Sequence, residues 1–193
     1  MNAQSKTGPV DFDLARGRVD TGGDHRVVLV PVAALIELER VLGGEPTKKL
    51  ARAVGVSFGR RVADKLGAAD GVERSSLEEF ISALASEVAV AGWGSMSLER
   101  WGKALVLSIE HAPDLPTSAL AALVEGAVEA ATAREVHSVA LSGEGPRPLG
   151  GTARVLLLSS RTAERARLWL AEGASEHDVL ERLHAAPSHG GAS

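Results

Sequence analysis

The chain has 193 residues, of which 45% are hydrophobic and 3% aromatic, and its 21 basic and 25 acidic residues give a net charge of −4. This size and hydrophobic content predict one domain with short appendages, and the acidic balance excludes a general attraction for nucleic acid or for an anionic membrane. The absence of cysteine excludes disulfides and thiolate metal sites and fits a cytoplasmic protein, and we recognise no secretion signal and no membrane span.

Four regions are predicted along the chain. Residues 1–24 are polar and rich in glycine, which predicts a disordered N-terminal arm. Residues 25–160 carry the alternating helix and strand patterns of one α+β domain. Residues 161–184 predict a C-terminal helical hairpin, capped at its second helix by Ser175, and residues 185–193 predict a disordered tail.

Three helices are predicted in the first half of the domain. The first spans residues 33–42, after a short strand at 27–30, and the third begins at Ser75 or Ser76, where a glutamate three residues later completes a capping box. The second spans residues 48–66 and has apolar residues at every fourth position. Beside them runs a row of small residues that allows another backbone to approach closely: Ala51, Gly55, Gly59 and Ala63.

The period of the pattern then changes to two. Residues 90–99 and 103–110 predict an antiparallel strand pair that turns near Trp101-Gly102. After a fourth helix at 117–132, residues 136–141 and 154–159 predict a second pair, linked by a loop over 142–151 that is rich in glycine and proline. The fold class predicted is therefore α+β, with helices packed on an antiparallel sheet of two strand pairs.

A tryptophan between two glycines, Gly92-Trp93-Gly94, stands where the first of these strands is predicted. Glycine within a strand marks a bulge, a bend or a close backbone approach. We therefore expect a bent strand that directs the Trp93 indole towards the helices.

This order of elements resembles the 4-vinyl reductase domain family, which is similar in fold to TRAPP vesicle-tethering subunits and to haem-based nitric-oxide sensor domains. The resemblance covers residues 33–160. It is carried by four segments: Leu50-Ala51-Arg52-Ala53-Val54-Gly55-Val56-Ser57-Phe58-Gly59, Gly92-Trp93-Gly94, Ser108-Ile109-Glu110-His111-Ala112-Pro113 and Leu123-Val124-Glu125-Gly126-Ala127-Val128.

The resemblance implies a module that binds a small, largely apolar molecule or another protein and that catalyses no reaction. Bacterial members often carry cysteines in the last helix and the final hairpin, but the matching hairpin over 139–158 has none. We therefore predict no metal site of that kind and no cofactor. The chain also lacks the nucleophile elbow, the phosphate-binding loop and the zinc-protease motif, so we expect no enzymatic activity.

Four aromatic residues are candidates for lining a ligand pocket, because such pockets are mainly apolar and aromatic. They are Phe58, Phe80, Trp93 and Trp101. The alternative is that these rings simply form the core, since the chain has only six large aromatic residues.

The C-terminal hairpin supplies a candidate partner or dimer surface, formed by Leu168, Trp169, Leu180 and Leu183. It is superficially like a helix-turn-helix, but its second helix begins Glu176-His177-Asp178, whose acidic residues would repel DNA phosphates. The basic residues of the second helix of the domain are spread around its axis, which predicts a solvated helix without a nucleic-acid track. They are Lys48, Lys49, Arg52, Arg60, Arg61 and Lys65.

The function favoured by the sequence is that of a bacterial, non-enzymatic adaptor that docks a protein partner or a second copy in a signalling or polarity complex. The first alternative is a sensor that binds a small apolar ligand in a pocket of the 4-vinyl reductase type. The second is a DNA-linked regulator that acts through the C-terminal hairpin. No nucleic-acid or membrane partner is expected under the favoured function.

Overall fold

A computed structural model describes residues 10–21, 25–101, 104–141 and 151–185. The helices are α1 (Val32–Leu42), α2 (Gly44–Leu66), α3 (Ala68–Arg74), α4 (Leu77–Val90), α5 (Thr117–Thr132), α6 (Ser160–Ala171) and α7 (Glu176–Ala185). The strands are β1 (Val10–Asp13), β2 (Arg18–Thr21), β3 (His25–Val27), β4 (Ser95–Trp101), β5 (Ala104–Glu110), β6 (His137–Ala140) and β7 (Ala153–Leu158). The predicted α+β class is confirmed.

The two predicted strand pairs join in one antiparallel sheet. Its strand order is β4-β5-β7-β6, so β5 and β7 connect the pairs. On β5, Leu107 lies opposite Leu98 of β4 and Val155 of β7. Residues 106–109 of β5 are all buried, which requires packed layers on both faces of the sheet.

Helices form those two layers. On one face, Leu107 and Ile109 belong to a core shared with α2, α4 and α5. On the other face, Val106 and Leu156 pack with Val179 and with other residues of α6 and α7. The C-terminal hairpin therefore packs against its own domain.

Helices α2 and α5 are in backbone contact through their glycines. A Cβ atom at Gly55 or Gly59 would overlap the carbonyl oxygen of Leu123 or Ala127, and one at Gly126 would lie 2.5 Å from the carbonyl oxygen of Arg52. The row of small residues on α2 thus has the role predicted for it.

The N-terminal region differs from the prediction of a disordered arm. Residues 10–21 form β1 and β2, which pair with β3 in a three-stranded antiparallel sheet, with Phe12 opposite Val19. The turn between β1 and β2 uses Gly17 at a φ of 59°, a conformation that glycine adopts readily. Apolar and polar residues alternate in Val10–Asp13, so a strand signal was present in a short segment.

The Gly92-Trp93-Gly94 segment also differs from its prediction, because it ends a helix. Helix α4 continues to Val90, and β4 starts only at Ser95. The Gly92 N–H donates to the Ala89 carbonyl and the Trp93 N–H to the Val88 carbonyl, with Gly92 at a φ of 75°. This is the Schellman arrangement of a helix C-terminus, and it fixes the indole without a bent strand.

Some predictions fall on residues outside the described ranges. These are the parts of the predicted arm, turn, loop and tail at 1–9, 22–24, 102–103, 142–150 and 186–193. Within the described ranges, α3 is a helix that was not predicted, and none of the helices is long and apolar enough to cross a membrane.

Candidate ligand-binding site

A cavity of about 560 Å³ lies between α1, α2 and the C-terminal end of α4. Val27 of β3 and the following residues 28–30 form another wall, and Pro113 also lines the cavity. The volume falls within the range of roughly 300–1,000 Å³ that is typical of small-molecule sites. Most of the lining side chains are apolar, among them Leu35, Leu50 and Val54.

Two of the four predicted pocket aromatics line this cavity. They are Phe58, from the middle of α2, and Trp93, which follows α4 and is only 8% exposed. The position of Trp93 is set by the glycine cap, which turns the chain immediately after α4. Their rings offer a ligand flat apolar surface.

The other two predicted aromatics lie elsewhere. Phe80 is buried in the helical core and does not line the cavity. Trp101 lies on the opposite side of the sheet, in the core formed with α6 and α7, where its Nε1 donates to Glu99 at 2.8 Å. The structure therefore brings Phe58 and Trp93 together and separates Phe80 and Trp101 from them.

One end of the cavity is polar. Arg61 of α2 and Glu87 of α4 form an ion pair at 2.6 Å between Nε and Oε2, with side chains only 10% and 6% exposed. Arg61 Nη1 also donates to Ser57 Oγ at 2.8 Å, and the half-exposed Lys65 bonds the second oxygen of Glu87. Ser57, Arg61 and Glu87 all line the cavity. Below, the Arg61–Glu87–Lys65 group is called the ionic cluster.

The ionic cluster keeps Glu87 charged. Burial raises the pKa of the Glu87 carboxyl, but hydrogen bonds from Lys65 and Arg61, together with their positive charges, lower it more, so that the pKa lies below its ordinary value. A carboxylate that already accepts from two cations is a weak general base.

Sequence reasoning missed this cluster and placed Arg61 on a solvated helix. The structure corrects that expectation, because Arg61 is buried, with its guanidinium carbon 5.1 Å from the centre of the Phe58 ring. A signal was present in the sequence, since Glu87 occupies the apolar side of α4 between Leu84 and Val88. A charged residue at such a position needs a buried partner.

The cavity is open along residues 28–32. Val28 is 81% exposed, and Leu29, Val30 and Val32 are exposed as well. Helix α1, which supplies Leu35 and Leu38 to the lining, has no buried side chain. This wall is therefore apolar but faces solvent on its outer side.

A second cavity, of about 920 Å³, lies where α5 and β6 face the C-terminal hairpin. Three of the polar residues in its lining are bonded to one another: Ser138 donates to Glu125 at 2.7 and 2.9 Å, and Arg167 Nη2 donates to the Ser138 carbonyl at 2.9 Å. This network ties α5 and α6 to the end of the sheet.

The predicted partner surface on the hairpin is largely covered by the chain itself. Leu180 is buried, and Trp169 and Leu183 pack against the same core between the sheet and the hairpin. Leu168, at 62% exposed, remains on the surface. The four residues therefore do not form one exposed apolar patch, because the apolar side of the hairpin covers the sheet.

Metal ligands do not cluster in the described part of the chain. No three histidine, aspartate or glutamate side chains there are close enough together to hold a metal ion.

Comparison with known proteins adds evidence on the fold. No family model matches the chain, and no curated protein matches it. Among solved structures, the fold is similar to the phenol-responsive sensory domain of the transcription activator PoxR, determined with phenol, with a TM-score of 0.55 and 15% identity, covering 77% of this chain and 84% of that one. At this identity the likeness concerns the fold alone, and membership of the 4-vinyl reductase family stays a prediction.

Proposed function

We propose that this protein is a non-enzymatic sensory module that binds a small, largely apolar molecule in the cavity beside Trp93. The observation that carries the proposal is the cavity itself, which has the volume of a small-molecule site, two aromatic rings in its wall and one polar end. This ranks ligand binding above the partner docking that the sequence favours.

Two further observations support this ranking. The solved domain of similar fold is described as phenol-responsive and sensory, and such a role needs a cavity of this kind. Conversely, three of the four residues expected to dock a partner pack against the chain's own sheet. Docking of a partner therefore stays a prediction that the described residues leave without support.

The absence of catalysis is part of the proposal. The charged residues of the cavity wall, Arg61 and Glu87, are bonded to each other. Neither is available as a general base or a nucleophile, which hydrolytic and proton-transfer chemistry requires.

Calorimetric titration with four probes tests ligand binding: toluene, phenol, methyl 2-naphthoate and 2-naphthoate. We expect at least one to bind, and Val54→Phe to weaken that binding about 10-fold or more, because the new ring occupies the cavity. Leu168→Phe is the matched control, since Leu168 is an exposed residue far from the cavity lining. Failure of all four probes to bind, or equal loss in both variants, would contradict the proposal.

A further inference from the structure

We propose that the ionic cluster makes the cavity selective for molecules that carry a carboxylate on an apolar, preferably aromatic, body, with Arg61 as the residue that binds the carboxylate. This inference rests on the proposed function and specifies the class of ligand for the same cavity.

The buried ion pair of Arg61 and Glu87 lies in a mostly apolar wall. Moving two charges out of water costs several kcal/mol per ion in general, and a buried pair is often no more stabilising than apolar residues of the same size. Stability alone therefore gives little reason for Arg61 and Glu87 at this position. Binding of a polar group does, because a cavity with apolar walls discriminates through its few polar groups.

Arg61 has more hydrogen-bond donors than its contacts with Glu87 and Ser57 use. A guanidinium carries five N–H donors. Nε donates to Glu87 and Nη1 donates to Ser57, and among the described residues Nη2 has no acceptor. The group is also held in place, because it lies over the Phe58 ring. Arg61, which lines the cavity, therefore carries a fixed donor that the described contacts leave unused.

The ionic cluster has a net positive charge. Arg61 and Lys65 carry two positive charges against the single negative charge of Glu87, which leaves one positive charge in excess. Half-exposed Lys65 lies outside the cavity wall. The described lining residues other than Arg61 and Glu87 are uncharged. Both oxygens of Glu87 already accept hydrogen bonds from cations. An anionic oxygen is therefore favoured at this end, and an ammonium group is disfavoured.

A carboxylic acid and its neutral ester differ in how strongly they can bind Arg61. A carboxylate receives charge-assisted hydrogen bonds from arginine, which are about twice as strong as neutral ones. The methyl ester, which is larger by one methyl group, keeps the aromatic body for contacts with Phe58 and Trp93 but loses the charge. The difference in affinity between the two thus isolates the contribution of the ionic cluster.

The test is calorimetric titration of 2-naphthoate and methyl 2-naphthoate at pH 7.5. We expect the wild-type protein to bind the acid about 10-fold or more tightly than the ester. In Arg61→Met we expect this ratio to fall to about 1, because the donor is gone, while Glu87 keeps Lys65 as its partner. Arg52→Met is the matched control, because Arg52 also lies on α2 but pairs with Glu125 and Glu129, away from the cavity.

The possible outcomes separate this inference from the proposed function. If the ester binds as tightly as the acid, or if the preference survives in Arg61→Met, the cavity binds ligands but the inference is wrong. If neither compound binds and toluene and phenol also fail, the proposed function and the inference are both overturned. Should Arg61→Met fail to fold, the double variant Arg61→Met/Glu87→Met removes both charges, and the same loss of preference is expected.

Discussion

The two sides of α2 differ in how closely other elements approach them. Towards α5, Gly55 and Gly59 bring two backbones into contact, and no space is left between the helices. Towards α1 and α4, the larger side chains of Val54, Phe58 and Arg61 surround a cavity of about 560 Å³. One helix therefore combines a close-packed interface with an open one. Small residues on the side facing α5 allow close packing, and larger residues on the side facing α1 and α4 leave a cavity.

Substitutions on the side of α2 that faces α5 should reduce the stability of the protein the most. In Gly59→Ala the added methyl group meets the carbonyl oxygen of Ala127, which is backbone and cannot move aside. We expect a loss of about 3 kcal/mol in the free energy of unfolding, at the upper end for overpacking. Urea denaturation measures it. Gly44→Ala is the control, since a Cβ there meets nothing within 4 Å. Equal stability of the two variants would show that α2 and α5 are not in backbone contact.

On the cavity side of α2, the stability of the protein should depend on the pairing of buried charges. Glu87→Gln leaves the buried Arg61 without its anionic partner. We expect a loss of about 2 kcal/mol, because the glutamine oxygen can still accept a hydrogen bond but no longer balances the charge of Arg61. The double variant Arg61→Met/Glu87→Met leaves no buried charge behind, and the charge of Lys65 that remains is half-exposed to water, so this variant should recover most of the loss. If the double variant is the less stable of the two, the pair itself stabilises the fold.

The smallest expected effect is on the dependence of stability on pH. The pKa of Glu87 is lowered in the folded protein, so its contribution to stability is fully present above the ordinary pKa of 4.5 and is lost as the pH falls through the folded value. Urea midpoints measured between pH 6 and pH 3 should fall more steeply for the wild type than for Arg61→Met/Glu87→Met. Parallel curves would assign the acid sensitivity to other carboxyl groups.

Structural elements that are determined by residues close together in the sequence were predicted well. Helix α5 spans Thr117–Thr132, the predicted residues, and Ser76 with Glu79 forms the predicted capping box at the start of α4. In both cases the decisive interactions lie within a few residues of each other. The row of small residues on α2 likewise predicted a close approach, although not its partner helix.

Features that depend on distant contacts were missed. Arg61 and Glu87 are 26 positions apart, so the pattern around each gives no indication of the other. The Gly92-Trp93-Gly94 segment fits a bulged strand and a helix end equally well by local criteria, and only packing decides between them. Residues 10–21 become strands because β3 is available to pair with β2.

The exposure of helix α1 affects how fast its backbone amide protons exchange with solvent. Since none of its side chains is buried, little apolar surface is lost when its backbone hydrogen bonds open, and local opening requires far less free energy than global unfolding. The amide protons of α1 should therefore be replaced by deuterium well before those of α2 and α5. Under the proposed function, a ligand enters or leaves through this wall while the sheet and its glycine-packed helices stay folded.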